Sequence, residues 1–176
     1  LKEFKDAVEK LVAGDPLHKA ATRAPLARRD LRDELHKQVI DSIAQGALPV
    51  TGCMPLSGPG NYYAPSLLDQ VKPGMRAYHE ELFGPVACVM RARDEQDAVR
   101  IANDSRFGLG GSVWTRDVAR GEDIARRLQC GMAFVNGIVK SDPRLPFGGV
   151  KDSGYGRELS YPGMREFVNI KTVWIK

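Results

Sequence analysis

The sequence predicts an α/β protein, an open and mostly parallel sheet with flanking helices, on three observations. Between residues 85 and 135 strand-like and helix-like stretches alternate, the order that right-handed crossovers build into a parallel sheet. Apolar residues recur at helical spacing in two earlier stretches. The chain's 176 residues also include 18 glycines and 11 prolines, which supply the turns such an alternation needs.

Taken in order, Leu1, Phe4, Val8, Leu11 and Val12 mark one helical face, broken at Gly14-Asp15-Pro16. Leu31, Leu35, Val39, Ile40 and Ile43 mark a second, stopped by Gly46. Residues 47–51 read as a strand, and residues 62–68 as an extended segment in which Pro65 suits an edge or a strand start. Residues 85–90 form a continuous apolar run suited to a buried strand. Asp94 stands at an N-cap, with Ala98, Ile101 and Ala102 on one face behind it and Asn103-Asp104-Ser105 as the stop. Residues 111–115 read as a strand. Asp117 then caps a helix bearing Val118, Ile124, Ala125 and Leu128, and Gly131 ends it before a strand at 132–135. Residues 136–160 make a glycine-rich loop of 25 residues, a length at which loops are usually functional. In residues 167–175, Val168, Ile170, Thr172 and Trp174 share one face of an extended segment able to pair with another subunit.

Hydrophobic residues make up 43% and charged residues 27%, so a disordered or collagen-like chain is excluded. The length fits about one domain, and no composition shift demands a second. No apolar run approaches the ~20 residues of a membrane span, and the expectation is a soluble, cytoplasmic protein with no membrane partner. The net charge of +4 comes from interleaved signs, and aromatics total 7%, which gives no basic and stacking surface for nucleic acid. Cys53, Cys88 and Cys130 lack C-x-x-C spacing, and His79 has no second histidine at helical spacing, so no metal site is expected. The chain opens on Leu1 inside an amphipathic pattern, as a piece of a longer polypeptide would.

Two glycine-rich stretches invite a nucleotide reading and fail it on context. Gly108-Leu109-Gly110-Gly111 precedes an expected strand where a dinucleotide fingerprint follows one. Gly149 and Gly154 have phosphate-loop spacing, but Tyr155-Gly156 stands where Lys and Ser or Thr belong.

Longer motifs carry more information. Glu80-Glu81-Leu82-Phe83-Gly84-Pro85-Val86 resembles a motif of the aldehyde dehydrogenase superfamily. Pro146-Phe147-Gly148-Gly149-Val150-Lys151 and Ser153-Gly154-Tyr155-Gly156-Arg157-Glu158 resemble another, and Gly14-Asp15-Pro16, Ile101-Ala102-Asn103 and Val135-Asn136 fall in the family's order. The resemblance covers essentially the whole chain but only the C-terminal part of such an enzyme. It implies that residues 1–160 belong to the catalytic domain and residues 161–176 to a tail with an oligomerisation strand, in a homodimer or tetramer. It further implies NAD or NADP as cofactor and a small aldehyde as substrate, with the nucleophilic Cys and the general-base Glu upstream and absent here.

By the same resemblance, Glu81 would accept hydrogen bonds from the nicotinamide ribose and Phe83 would pack near the nicotinamide. Asn136, Ser141 and Phe147 would border the aldehyde pocket. Ser141, six residues before Phe147, matches the serine that helps bind the substrate carboxylate in succinate-semialdehyde dehydrogenases, the group this chain is most similar to. Lys140 and Arg144 would favour an anionic substrate. Glu158 matches a buried glutamate implicated in proton relay, and a structural ion pair with Arg157 is the alternative role. The three cysteines read as packing residues. Two departures stand out: Ala24 where the family commonly has Gly before Pro25, and Cys53 where a second Gly is usual. The competing reading is a non-catalytic piece that acts through subunit pairing or partial cofactor contact.

Overall fold

The computed structural model describes residues 1–176, and the chain forms two compact units, Leu1–Arg91 and Ala92–Lys176. No compositional shift in the sequence marks this division. The class is α/β, with its strands in three small sheets, two of which contain parallel pairs.

In the first unit α1 (Lys2–Val8) is shorter than its apolar spacing suggests. The Val12 carbonyl accepts from the N–H groups of Thr22 and Arg23 at 2.8 and 3.1 Å, and the Val12 N–H donates to Thr22 Oγ1 at 2.8 Å. A backbone so occupied cannot continue a helix. The second helix, α2 (Arg29–Ala44), buries Leu35 and Val39 as its stripe requires, but Ile40 is exposed and the polar Gln38 and Ser42 are buried.

Strands β1 (Leu48–Thr51), β2 (Ser66–Asp69) and β3 (Val86–Cys88) make a sheet in the order β1-β2-β3, antiparallel and then parallel. The middle strand is buried at all four positions, and burying Leu67 and Leu68 contributes roughly 1.5–3 kcal/mol each. Its polar members are satisfied. Ser66 Oγ donates to the Ala64 carbonyl at 2.5 Å and accepts the Cys53 N–H at 2.7 Å, while Asp69 takes two hydrogen bonds from Arg91. The run 85–90 is shorter as a strand than expected and half-buried, because β3 lies at the edge of this small sheet. The extended segment at 62–68 likewise becomes a strand only from Ser66, with Tyr63 in an isolated bridge to Pro55. A single turn of helix, α3 (Arg76–His79), packs on α2.

In the second unit the two expected caps are in place. Asp94 accepts the Asp97 N–H at the start of α4 (Glu95–Asn103), and Asp117 accepts the Arg120 N–H at the start of α5 (Val118–Arg127). Each such cap contributes about 1 kcal/mol. Antiparallel β4 (Phe107–Gly108) and β7 (Val150–Lys151) form one pair, and parallel β5 (Gly110–Val113) and β6 (Met132–Val135) form another. Glycines 108, 110 and 111 thus lie inside strands. A short helix, α6 (Ser160–Arg165), precedes the tail.

Residues 167–175 form no strand within the chain, contrary to their alternating pattern. No neighbouring segment offers them a ladder, and a strand exists only by pairing. Phe167, Ile170, Trp174 and Ile175 are each more than 80% exposed.

Ser42 joins two helices of the first unit: fully buried, its Oγ donates to the Gln38 carbonyl at 2.7 Å and accepts the Ala77 N–H at 2.9 Å. Ser42→Ala leaves that N–H buried without its acceptor, and urea denaturation is expected to show a loss of about 1–3 kcal/mol. An unchanged midpoint and slope would show that Ala77 finds another partner.

Candidate functional site

The chain leaves α3 at Glu80 in extended conformation, so that adjacent side chains turn to opposite sides. Glu80 turns toward α2 and α3. Its carboxylate accepts from Arg76 Nε and Nη2 at 2.8 and 2.7 Å and from Gln38 Nε2 at 2.9 Å. The Arg76 guanidinium, followed by the Gln38 amide, holds the Glu80 carboxyl down at about 2. Glu81 is exposed. Its main-chain carbonyl accepts from Gln38 Nε2 at 3.2 Å, and no protein group bonds its carboxylate.

After Glu81 the chain makes a tight turn, with the Gly84 N–H donating to the Leu82 carbonyl at 2.8 Å. A Cβ at Gly84 would come within 2.4 Å of Leu35 Cδ2, so glycine lets this turn sit directly on α2. Phe83 is left 69% exposed. The result is a mostly apolar cleft of about 570 Å³ lined by Arg23, Pro25, Leu26, Leu31, Glu81 and Phe83 among others. Arg23 and Leu31 carry no motif of their own, and folding alone brings them to the two motif residues. A free carboxylate beside an exposed aromatic ring suits a sugar diol joined to a planar heterocycle.

The second unit holds the other candidates. Asn136, at φ 54°, closes β6: its Oδ1 accepts the Thr115 N–H at 2.9 Å and its Nδ2 donates to the Thr115 carbonyl at 2.8 Å. Its amide therefore joins the ends of β5 and β6. Beyond it Lys140 and Ser141 are exposed, and Asp142 takes the Arg144 guanidinium in a two-pronged pair at 2.9 and 2.6 Å. Arg144 also donates its main-chain N–H, and it holds the Asp142 carboxyl down at about 2.

Phe147 is fixed by reciprocal main-chain bonds with Glu158, both 2.8 Å. It lines a cleft of about 460 Å³ with Met132, Lys140, Asp142, Leu145 and Arg157 among others. Gly131 underlies this loop. A Cβ there would lie 1.8 Å from the Gly148 carbonyl oxygen, so no other residue permits the contact. Further on, Lys151 Nζ donates to the carbonyls of Asn103 and Ser105 at 2.8 Å each, and Ser153 Oγ accepts the Gly108 N–H at 2.9 Å.

Glu158 is exposed, which corrects its expected burial; its main chain is spent on the surface bridge to Phe147. The alternative ion pair with Arg157 does not form either. Arg157 Nη1 donates instead to the carbonyls of Gly149 and Gly156 at 2.8 and 2.6 Å. Glu81 and Phe83 thus share one cleft in the first unit, and Phe147 lies on another in the second.

The thiols are poorly suited to attack. Cys53 is buried and its thiol is pushed up by burial, while desolvation lifts half-buried Cys88 to about 11. Cys130 Sγ donates to the Met132 carbonyl at 3.0 Å. No group of three or more His, Cys, Asp or Glu side chains is placed to hold a metal ion. No helix is long and apolar enough to cross a membrane.

A family model described as the aldehyde dehydrogenase family matches residues 1–173. The chain is 49% identical over 173 residues to the Escherichia coli (strain K12) succinate semialdehyde dehydrogenase [NAD(P)+] Sad, covering 98% of this chain and 37% of that protein. It is 46% identical over 173 residues to succinate-semialdehyde dehydrogenase [NADP(+)] 1 of Mycobacterium ulcerans (strain Agy99), covering 98% and 38%. Among solved structures, the Streptococcus pyogenes succinic semialdehyde dehydrogenase in complex with NADP+ matches with a TM-score of 0.93 and 33% identity, over 99% of this chain and 39% of that one. A Mycobacterium tuberculosis aldehyde dehydrogenase complexed with NAD+ matches with a TM-score of 0.88 and 36% identity, over 92% and 34%. The chain therefore spans well under half the length of these relatives.

Proposed function

From the premise that the chain belongs to the aldehyde dehydrogenase family, we propose that it is part of an NAD(P)-dependent enzyme that oxidises succinate semialdehyde to the acid. One observation carries the reading: of two adjacent carboxylates in an intact family motif, Glu80 is bound by Arg76 and Gln38, and Glu81 is left free beside the exposed Phe83 ring. In this reading Glu81 accepts hydrogen bonds from the nicotinamide ribose and Phe83 packs near the nicotinamide. When bound, the cofactor supplies the hydride acceptor. Arg23, Pro25 and Leu31 close the cleft around the same half of it.

In the second unit Phe147 forms an apolar wall of the aldehyde pocket and Ser141 offers a hydroxyl to the substrate carboxylate. Asn136 serves by fixing the start of their loop. In the same reading Glu158 exchanges protons with solvent, which its exposure at the bridge to Phe147 supports. Residues 1–160 supply these contacts, and residues 161–176 form a tail whose apolar side chains pair with a second subunit in a homodimer or tetramer. Such an enzyme works in the cytoplasm.

Three outcomes are expected. In the enzyme that contains this chain, Glu81→Gln loses a ribose contact of about 1–3 kcal/mol, so single-turnover hydride transfer slows. Glu80→Gln acts chiefly on stability. Equal rates in wild type and the Glu81 variant would sink the cofactor assignment. The 176 residues alone form no NADH or NADPH from succinate semialdehyde, because burial raises the Cys53 and Cys88 thiols and the Cys130 thiol is engaged with the Met132 carbonyl. Turnover that disappears on substituting Cys53, Cys88 or Cys130 would contradict this. Removing residues 167–176 lowers the oligomeric mass by light scattering while circular dichroism stays that of a folded protein. A folded variant of full mass would refute the tail's assembly role.

A further inference from the structure

Three charged side chains besides Arg144 concern the cleft that holds Phe147, and they are not equally available. Asp142 is capped by Arg144 through both carboxylate oxygens, so these two charges cancel one another. Arg157 shares Nη1 between two carbonyls of its own loop. Lys140 lines the same cleft, precedes Ser141, and makes no hydrogen bond or ion pair within the chain. Its charge reaches Asp142 only at longer range. The rest of the lining, including Met132, Leu145 and Phe147, is apolar and suits a short methylene chain.

We propose that Lys140 is a specificity-determining residue, its ammonium supplying the positive charge for the far carboxylate of an aldehyde acid while Ser141 supplies a neutral donor. This rests on the substrate reading above, and it assigns the cation to Lys140 and not to Arg144, whose guanidinium is already spent. A compact ammonium on a flexible stem suits a single mobile carboxylate. Arg144 acts by masking: it covers Asp142, whose bare charge on the same cleft would repel the substrate.

The experiment compares succinate semialdehyde with butanal, a neutral aldehyde of the same chain length, in the whole enzyme. Lys140→Gln is expected to raise KM for succinate semialdehyde roughly tenfold, with a much smaller effect on butanal, and Lys140→Arg is expected to recover most of the loss. Inhibition by succinate weakens in parallel, and added sodium chloride narrows the gap between wild type and Lys140→Gln. Equal effects on both aldehydes, or none, overturn the assignment. Ser141→Ala separates the two levels. If it discriminates between the aldehydes and Lys140→Gln does not, Lys140 loses its role while the substrate reading stands. If neither variant discriminates, the substrate reading falls as well.

Discussion

Arg76 reaches Glu34 and Asp41 on α2 at 2.6 and 3.0 Å and Glu80 at 2.7 Å, one guanidinium among three carboxylates. Each pair is partly exposed and individually weak. Together they fix α3, whose single turn could not hold its shape alone, against the longer helix. That placement sets the path of the next residues. With Glu80 committed to Arg76, the extended backbone carries Glu81 to the other side, and the turn at Gly84 seats Phe83 next to it. The cleft beside Glu81 and Phe83 is in this sense a consequence of an ion-pair network that lies outside its lining.

Much of the fold was legible because local signals and tertiary packing agree. Asp94 and Asp117 cap their helices as read, since a side-chain oxygen three residues ahead of a free N–H needs no distant partner. The parallel pairing of β5 with β6 accords with the strand–helix–strand order. What escaped depends on partners elsewhere in the sequence. Two-residue strands such as β4 and β7 show no periodicity, and α1 stops early because Thr22 Oγ1 takes the Val12 N–H. The tail reads as a strand yet has nothing in the chain to pair with.

The site was legible to the level of motifs and no further. The motif resemblance already singled out Glu81 over its neighbour Glu80, and the geometry supplies the physical difference between them, Glu80 being bound by Arg76 and Gln38. Lys140 and Arg144 look equivalent as letters, and Asp142 makes them different. Asn136 reads as a pocket residue, and both polar atoms of its amide are found on Thr115. In each case the deciding fact is how a polar group is satisfied, which is a property of three-dimensional neighbours.

The contact of Gly131 with Gly148 divides the long loop into two parts with different freedom. Residues 147–158 rest on a backbone-to-backbone approach with no space for a single methyl group, and are further tied down by Arg157, Lys151 and Ser153. Residues 137–146 span between that anchor and the Asn136 clamp. For a lineage, or a laboratory library, the second stretch is an exchangeable cassette. New loop shapes can be explored there on a frame that stays still, while variation past Phe147 alters the frame itself.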